Sequence, residues 1–598
     1  MTNENDPREE FADEEIQKAN SAIEEDDGEE KQKQSTRLIN LARQSGVEFF
    51  HTPEREAFAT IRVDGHLETC SLKDQGFRLW LDRLYFLDQA QAISSNAMQE
   101  ALGIFRGMAL FDGVTKPVFL RLAHVEGRTY IDICDDRWRV IEVDSDGYRI
   151  LNESPVKFRR PKGMLALTEP ETGGSLSELR SFVNAPDDDD WILFLAFLVG
   201  VWSPNPPYPV YNITGEQGSA KSTRARVIRR VTDPSASPIG RAPKEDRDFA
   251  IAANSELVVS FDNVSRLSLA NSDNLARLAT GAGFRTRTLY TDTDQTILDA
   301  ARPVLINGIA DSITQDDLAD RAITVNMRRI PPSMRESEAD FWARFQKVEA
   351  KIIGALCDAV SHGLKMLPTT KLDESPRMAD FARWVVACSG KLDFSSERFL
   401  TAYSTNRNAS HEATLDASPI GPILIAALEG GELLGTPKEI LDDLEGRLDE
   451  KTRRSKDWPS GGRAFTNELK RIAPSLRERG IAVDRLEHRR TNLGIPYRIG
   501  PERKVSDSLV TSVTTATIEL NNSDSTPETV ESPLVTSVTP QSPENGRSSV
   551  ESDTGDLSDS QIPSLSSDSR DLADLNMTIK QPSLDRSLED LVNRYEHS

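Results

Sequence analysis

The stretch PVYNITGEQGSAKSTRARVIRRV, residues 209–231, decides the fold of the middle of the chain. It begins with a short apolar run, continues through a loop that contains Gly215 and Gly218, and ends in a segment with helical spacing. A strand, a glycine-bearing loop and a helix in this order are what a phosphate-binding loop requires. The stretch therefore predicts a phosphate site within an α/β domain.

The loop fits the pattern G-x-x-x-x-G-K-[ST], except that Ala220 stands in place of the second glycine. Backbone N–H groups and the N-terminus of the following helix can surround an anion, Lys221 can reach the β- and γ-phosphates of ATP, and Ser222 can bind Mg²⁺. The extra methyl group of Ala220 is tolerated if its φ is negative. The predicted nucleotide-binding residues are Gly215, Glu216, Gln217, Gly218, Ser219, Ala220, Lys221, Ser222 and Thr223.

A carboxylate that orients the metal is expected at the end of a buried strand, and ELVVSFDN at 256–263 supplies Asp262. We expect Asp262 and Ser222 to hold Mg²⁺. The next residue is Asn263, where a glutamate would normally polarise the attacking water; an amide can position water but cannot accept its proton. The sequence therefore predicts slow ATP hydrolysis or a base from elsewhere. The alternative is an Asp-Asn turn with no metal role.

Two further polar residues complete the predicted catalytic set. Asn307 ends the apolar run RPVLING at 302–308, where it could sense the γ-phosphate; the alternative is a turn-forming Asn-Gly pair. Arg321, in DLADRAITVNM at 317–327, precedes another strand and could reach the nucleotide of a neighbouring subunit as an arginine finger. A surface salt bridge is the alternative for Arg321.

The order of these motifs resembles the superfamily 3 helicase domain, specifically the primase-helicase type of phages, plasmids and prophages, over residues 175–335. The resemblance implies an AAA+-like ATPase core, a homo-oligomeric ring with nucleotide between subunits, and ATP-driven DNA unwinding during replication. It also implies a pore hairpin at 275–294, in which Arg285 and Arg287 would face DNA phosphates. The sequence departs from the family pattern at Ala220 and Asn263.

A second polyanion site is predicted in the basic block 451–504, whose net charge is +9 within a chain of net charge −24. Residues 417–500 indicate three helices and a two-stranded wing, which is typical of a winged helix. The predicted DNA contacts there are Lys470, Arg471, Arg489 and Arg490. The alternative is a charge-rich helix face that the acidic tails balance.

At 598 residues the chain is too long for one hydrophobic core, so we predict a multidomain α/β protein. The two ends are acidic and poor in apolar residues, which predicts disordered tails. We expect a P-loop (AAA+-like) ATPase core, an N-terminal α+β domain, a C-terminal winged helix and acidic tails. Within the N-terminal domain the sequence predicts a helix around 75–105 and strands between 117 and 151, with turn signals at Gly127 and Gly147. Asp132, in one of these strands, is interpreted as a solvated turn residue. The predicted boundaries are 1–37 (tail), 38–174 (α+β domain), 175–335 (ATPase core), 336–415 (helical region), 416–504 (winged helix) and 505–598 (tail).

The cysteines and the apolar runs indicate where the protein is located. Cys70, Cys134, Cys357 and Cys388 lack metal-binding spacing, and a leader or membrane-spanning run is not seen, which together favour a protein of the cytoplasm with no membrane partner. We predict an ATP-dependent DNA helicase or translocase that acts on single-stranded or forked DNA and whose priming comes from a separate polypeptide. The alternative is a nucleotide-switched DNA-binding or scaffold protein with little hydrolysis. A third possibility is a duplex-DNA regulator whose ATPase core only oligomerises.

Overall fold

The folded part of the chain begins at helix α1, Gln34–Gln44, slightly before the predicted boundary at residue 38. The computed structural model describes residues 33–243, 245–264, 267–281, 284–287, 295–298, 301–308, 313, 315–489 and 494–502, with 284–287 and 295–298 described by backbone only. Ser35 and Leu38 share the buried face of α1, which explains the earlier start. The rest of the predicted acidic tails lies outside the described residues.

The first part of the N-terminal region is a four-stranded sheet packed against three helices. The sheet has the order β3-β2-β1-β4, and the sequence did not predict its first three strands. The helix predicted around 75–105 is two helices, because the first ends at Ala90 in the left-handed conformation (φ 50°). The elements are α1, β1 (Glu48–His51), β2 (Ala57–Val63), β3 (His66–Ser71), α2 (Gln75–Gln89), α3 (Ser95–Gly107), a π-helical turn (Met108–Asp112) and β4 (Val114–Thr115).

The second part of the N-terminal region is an antiparallel meander of order β6-β7-β8-β9, as the strand-like runs between 117 and 151 predicted. Ile131, Ile141 and Val143 face the same hydrophobic cluster as the central helices. The elements are β5 (Val118–Phe119), β6 (Leu122–Val125), β7 (Arg128–Asp132), β8 (Val140–Asp144), β9 (Gly147–Leu151), β10 (Lys157–Phe158) and a 3₁₀ helix (Leu176–Ser181).

A buried ion-pair cluster joins this meander to the central part of the chain. Arg121, which is fully buried, pairs with Asp233 over 3.0 Å, and Arg229 pairs with the other oxygen of Asp233 over 2.7 Å. Asp132, which the sequence indicates to be a solvated turn residue, is instead buried and paired with Arg160 over 2.6 Å. Pairing offsets part of the desolvation cost of burying these charges, and loss of one partner would leave an uncompensated buried charge.

The central part is a five-stranded parallel sheet of order β12-β13-β16-β11-β17. The apolar helix α4 is buried all round, which explains why residues 191–202 are so hydrophobic. The elements are α4 (Asp188–Val201), β11 (Val210–Gly215), α5 (Lys221–Thr232), β12 (Gly240–Arg241), α6 (Asp246–Ser255), β13 (Val259–Asp262), α7 (Leu269–Thr280), β14 (Phe284–Arg287), β15 (Gln295–Leu298), β16 (Val304–Asn307), α8 (Asp316–Ala319) and β17 (Ala322–Met327).

Four longer helices follow β17 and pack on the same core. Phe381, Phe399 and Tyr403 belong to the cluster that covers α4. The described part of the chain holds no helix that is long and apolar enough to span a bilayer. The elements are a 3₁₀ helix (Pro332–Met334), α9 (Glu338–Gln346), α10 (Glu349–Met366), α11 (Ala379–Cys388), a 3₁₀ helix (Ser389–Lys391) and α12 (Ser396–Asp416).

The C-terminal described part is a small helical unit with a three-stranded antiparallel sheet, β18-β20-β19, in place of the two strands that the sequence predicts. The additional strand, β18, is short and pairs through its backbone, so the residue pattern of this segment does not indicate a strand. The elements are α13 (Gly421–Leu428), β18 (Leu433–Gly435), α14 (Pro437–Glu445), α15 (Glu450–Arg453), α16 (Gly462–Glu478), β19 (Ile481–Arg485), a 3₁₀ helix (Glu487–Arg489) and β20 (Tyr497–Pro501).

A polar cluster connects this C-terminal unit to α8, the short helix before β17. Ser475, on α16, bonds to Asp316 over 2.5 Å and lies 3.0 Å from Nδ1 of His411. The other ring nitrogen of His411 lies 2.9 Å from Asp320. Arg377 pairs with Asp320 over 2.7 Å. Asp316 and Asp320 therefore bond to α16, to α12 and to the segment that precedes α11.

Candidate functional site

Three strand ends meet at the carboxyl edge of the central sheet. β11, β13 and β16 are parallel to one another. Ile213 of β11 lies opposite Asn307 of β16, and Phe261 of β13 lies opposite Ile306 of β16. Asp262 and Asn307 are the last residues of their strands, and Gly215 is the last of β11. Ligands of open parallel sheets bind outside this edge. The structure thus brings together the three predicted positions that the sequence separates.

The connection between β11 and α5, residues 215–220, is called the glycine loop below. Gly215 has φ 137°, and a Cβ atom there would lie 2.4 Å from the carbonyl oxygen of Met327 on β17. Gly218 has φ 84°. The first position requires glycine because of a close backbone approach, and the second favours glycine because of its left-handed backbone. The glycines identified from sequence therefore have a conformational cause.

Ala220 corrects one expectation about this loop. Its φ is 64° and its ψ is 31°, in the left-handed region, whereas the sequence argument made its methyl group acceptable at a negative φ. A left-handed conformation costs a residue with Cβ roughly 1–2 kcal/mol. The glycine loop imposes this geometry because it must turn directly into α5. Ala220 is the N-cap residue of α5, and its methyl side chain cannot accept a hydrogen bond from the first turn of the helix.

Lys221 holds the glycine loop through its side chain. Its Nζ donates to the carbonyl oxygens of Gly215 over 2.7 Å and Glu216 over 2.9 Å. Partial burial lowers the pKa of Lys221, and the charge of Asp262 opposes that shift. The ammonium group of Lys221 and the carboxylate of Asp262 therefore interact electrostatically across the site.

The ends of β13 and β16 are joined by a small hydrogen-bond network. The backbone N–H of Asn263 donates to Oδ1 of Asp262 over 2.8 Å and to Oδ1 of Asn307 over 3.0 Å. Asn307 is only 2% exposed, and its Nδ2 has no hydrogen-bond partner among the described residues. An unpaired buried donor costs about 1–3 kcal/mol. The Nδ2 group is thus a donor available to a ligand oxygen.

A buried support behind the glycine loop escaped the sequence reasoning. Arg224, on the inner face of α5, bonds to both carboxylate oxygens of Asp190, at 2.7 and 2.9 Å, and to Tyr211. Asn184 donates from Nδ2 to the carbonyl oxygen of Ser219 over 3.0 Å and to that of Arg328 over 2.6 Å. The one sequence signal was Arg224 itself, an arginine on the apolar face of a predicted helix. Its partners could not be identified, because they are distant in sequence.

Arg321 lies at the opposite edge of the sheet from the glycine loop. It directly precedes β17, whose first residue pairs with Val210 at the start of β11. Its guanidinium pairs with Asp317 and also donates to the carbonyl oxygen of Asp317 over 2.6 Å. Since β11 runs from this edge to the glycine loop, Arg321 cannot serve the site of its own chain without a large movement.

The predicted DNA-contacting residues that the structure describes lie on three elements, namely β14, α16 and the 3₁₀ helix Glu487–Arg489. Arg285 and Arg287 lie on β14, which pairs with β15 in an antiparallel hairpin; their side chains are outside the described part. Lys470 and Arg489 are exposed. Arg471 is half-buried and bonds to Glu468 on its own helix over 2.6 Å. Arg490 lies outside the described residues.

The described side chains form no metal-binding cluster. In that part of the chain no group of three or more His, Cys, Asp or Glu could hold a metal ion. All four cysteines are free. Ser222, the second residue of α5, and Asp262, the last residue of β13, are the two predicted metal ligands.

The fold and the site define a class, a multidomain α/β protein in which a glycine loop and two polar strand ends meet at one edge of a parallel sheet. Residues 176–412 match the model of the actinomycete integrative conjugative element replication protein. Residues 420–504 match the AICE RepA C-terminal domain. Over these two adjoining ranges the chain is similar to this family of replication proteins.

Two solved structures match the chain at low similarity. The A form apo structure of the NrS-1 C-terminal region is 11% identical, with a TM-score of 0.35, and the match covers 77% of this chain and 98% of that one. A further apo structure of the same region (305–718) is 11% identical, with a TM-score of 0.36, and covers 78% and 99%. No curated protein matches the chain.

Proposed function

We propose that the chain is an ATP-dependent DNA helicase or translocase that acts in the replication of a conjugative element. The observation that carries this proposal is the meeting of Lys221, Asp262 and Asn307 at one edge of a parallel sheet, beside the glycine loop. β11, which leads into the glycine loop, lies between β16 and β17 in the sheet, and β13, which ends at Asp262, is the next strand after β16. This strand order supports an AAA+-like P-loop core.

Each residue of the site has a role that its geometry permits. The N–H groups of the glycine loop and of the first turn of α5 surround the phosphates of ATP, and Lys221 exchanges its two carbonyl contacts for phosphate oxygens. Ser222 and Asp262 hold Mg²⁺, which neutralises charge on the β- and γ-phosphates when it is bound. The unpartnered Nδ2 of Asn307 donates to the γ-phosphate.

The remaining predicted residues act between subunits and on DNA. Arg321 reaches the nucleotide of a neighbouring subunit in a homo-oligomeric ring, since it lies at the edge away from its own glycine loop. The hairpin that carries Arg285 and Arg287 contacts the translocated strand. The C-terminal unit acts as a winged helix, in which exposed Lys470 and Arg489 meet DNA phosphates. A separate primase supplies primers.

A second candidate is a nucleotide-switched DNA-binding protein that hydrolyses ATP little. The observation that favours it is Asn263, which follows Asp262 at the site. Its backbone N–H is committed to Asp262 and Asn307, and its side chain is an amide that cannot accept a proton. Under this candidate, ATP binding would order the assembly and turnover would be incidental.

Steady-state ATP turnover with and without single-stranded DNA separates the two candidates, with Lys221→Ala as the control. Turnover that DNA stimulates and that Lys221→Ala abolishes supports the helicase, and a forked-duplex unwinding assay then tests for strand separation. ATP binding with no DNA-stimulated turnover supports the switch. Turnover that survives in Lys221→Ala would contradict both, because it would arise elsewhere.

A further inference from the structure

The segment that follows β17 lies against the glycine loop. The backbone N–H of Ile330 donates to the carbonyl oxygen of Gly218 over 3.1 Å, and Asn184 bridges Ser219 to Arg328. Two independent contacts therefore fix residues 328–330 beside the loop. The position of this segment is set by the fold and needs no ligand.

Arg335 extends from the end of this segment over the loop. A Cβ atom built on Gly218 would lie 3.2 Å from Nη2 of Arg335 and 3.9 Å from its Cζ. The Nε group of Arg335 donates to the carbonyl oxygen of Ile330 over 3.2 Å, which orients the guanidinium. Arg335 is exposed, so the group faces solvent above Gly218.

The charge of Arg335 has no counterion within the described part of the chain. The neighbouring acidic residues are used elsewhere, since Glu336 pairs with Arg344 and Glu338 pairs with Arg226. A guanidinium offers five N–H donors in a planar fork that matches phosphate oxygens. One donor of Arg335 is bound to Ile330, and its Nη2 group lies beside Gly218.

We propose that Arg335 contacts the phosphates of the nucleotide held in the glycine loop of its own chain. This rests on the proposed function, because it requires that the loop bind a nucleotide. Lys221 and Arg335 then approach the phosphates from the helix side and from the β17 side of the loop. Arg335 is thus a second cation of the site, supplied in cis, whereas Arg321 is supplied in trans.

The test measures the dissociation constants of ATP and of inorganic tripolyphosphate for wild type, Arg335→Ala, Arg335→Lys and Arg329→Ala. Arg329 is an exposed arginine of the same segment, so its variant is the matched control. We expect Arg335→Ala to weaken both ligands at least about tenfold, Arg335→Lys to recover part of the loss, and Arg329→Ala to leave both unchanged. The thermal midpoint should not change, because Arg335 is exposed.

Three results would overturn the inference. Equal affinities for wild type and Arg335→Ala would mean that the guanidinium does not touch the ligand. A loss for ATP with none for tripolyphosphate would assign Arg335 to the base. An equal loss of affinity in Arg329→Ala would mean that the effect comes from the general positive charge of the surface. Failure of wild type to bind ATP at all would instead refute the proposed function on which the inference rests.

Discussion

The backbone N–H of Asn263 donates to Oδ1 of Asn307 over 3.0 Å and so connects the ends of β13 and β16. This bond fixes which way the Asn307 amide points. With Oδ1 accepting from the backbone, the Nδ2 group is left without a partner among the described residues. One interaction therefore prepares a donor at the sheet edge where the γ-phosphate is expected.

Replacing Asn307 tests that role. Asn307→Ala removes the donor and the link to Asn263, so we expect ATP turnover to fall about 100-fold, as when a preorganised donor is removed from other active sites. The affinity for ADP, which lacks the γ-phosphate, should change little. Rates and ADP binding are measured on the same preparation. A parallel loss of ADP affinity would indicate a collapsed site and count against a specific γ-phosphate contact.

Asn263→Glu tests whether the amide limits hydrolysis. A carboxylate at this position can accept a proton from water, and general-base catalysis typically contributes 10²–10⁴-fold. We expect turnover to rise at least about tenfold, less than the full range because the left-handed backbone of Asn263 (φ 55°) suits asparagine better than glutamate. Asn263→Gln, which is equally long but cannot take a proton, is the control. No increase over that control would place the base elsewhere.

Ala220→Gly tests the strain in the glycine loop. Glycine adopts φ 64° without steric cost, so the free energy of unfolding should rise by about 1 kcal/mol. Ala225→Gly is the matched control, since Ala225 is buried inside α5 and the same change should lower stability by a similar amount. Denaturant midpoints are compared. If both variants are destabilised, the loop imposes no strain on Ala220.

Asp320 supplies a prediction about pH. Burial alone would raise the pKa of Asp320, but the hydrogen bond from His411 and the charges of His411 and Arg377 lower it to about 2. A pKa below the unfolded value of about 3.9 means that the interaction stabilises the fold above pH ~4 and is lost as the pH falls towards 2.

The variant Asp320→Asn should therefore melt at a lower temperature than wild type at pH 7. The gap between their thermal midpoints should close as the pH falls from 4 to 2. Asp317→Asn is a suitable comparison, since Asp317 is more exposed than Asp320 and should contribute less. A gap that stays constant with pH would mean that the Asp320 charge does not stabilise the fold.

The sequence predicted those parts of the site that local pattern encodes. The glycine loop, Asp262 and Asn307 follow apolar strands directly, and the parallel sheet brings strand ends to one edge by a general rule. Arg224, Asn184 and the contact between Arg335 and Gly218 depend on partners far along the chain. No local periodicity reports such contacts.

The same distinction applies to the fold. The meander β6–β9 was predicted because its strands alternate and are separated by turn signals at Gly127 and Gly147. Strands β1–β3 mix polar and apolar residues on a small sheet and gave no clear signal. The left-handed backbone of Ala220 was missed because the loop geometry, and not the residue type, determines it.

Calorimetric titration of the full chain with ATP, in the presence of Mg²⁺ and in EDTA, tests the central claim most directly. We predict binding that Mg²⁺ strengthens in wild type, that Lys221→Ala abolishes, and that loses its Mg²⁺ dependence in Asp262→Asn. The absence of heat with wild type, or equal binding by all three proteins, would contradict the claim that the glycine loop and Asp262 hold a nucleotide and its metal.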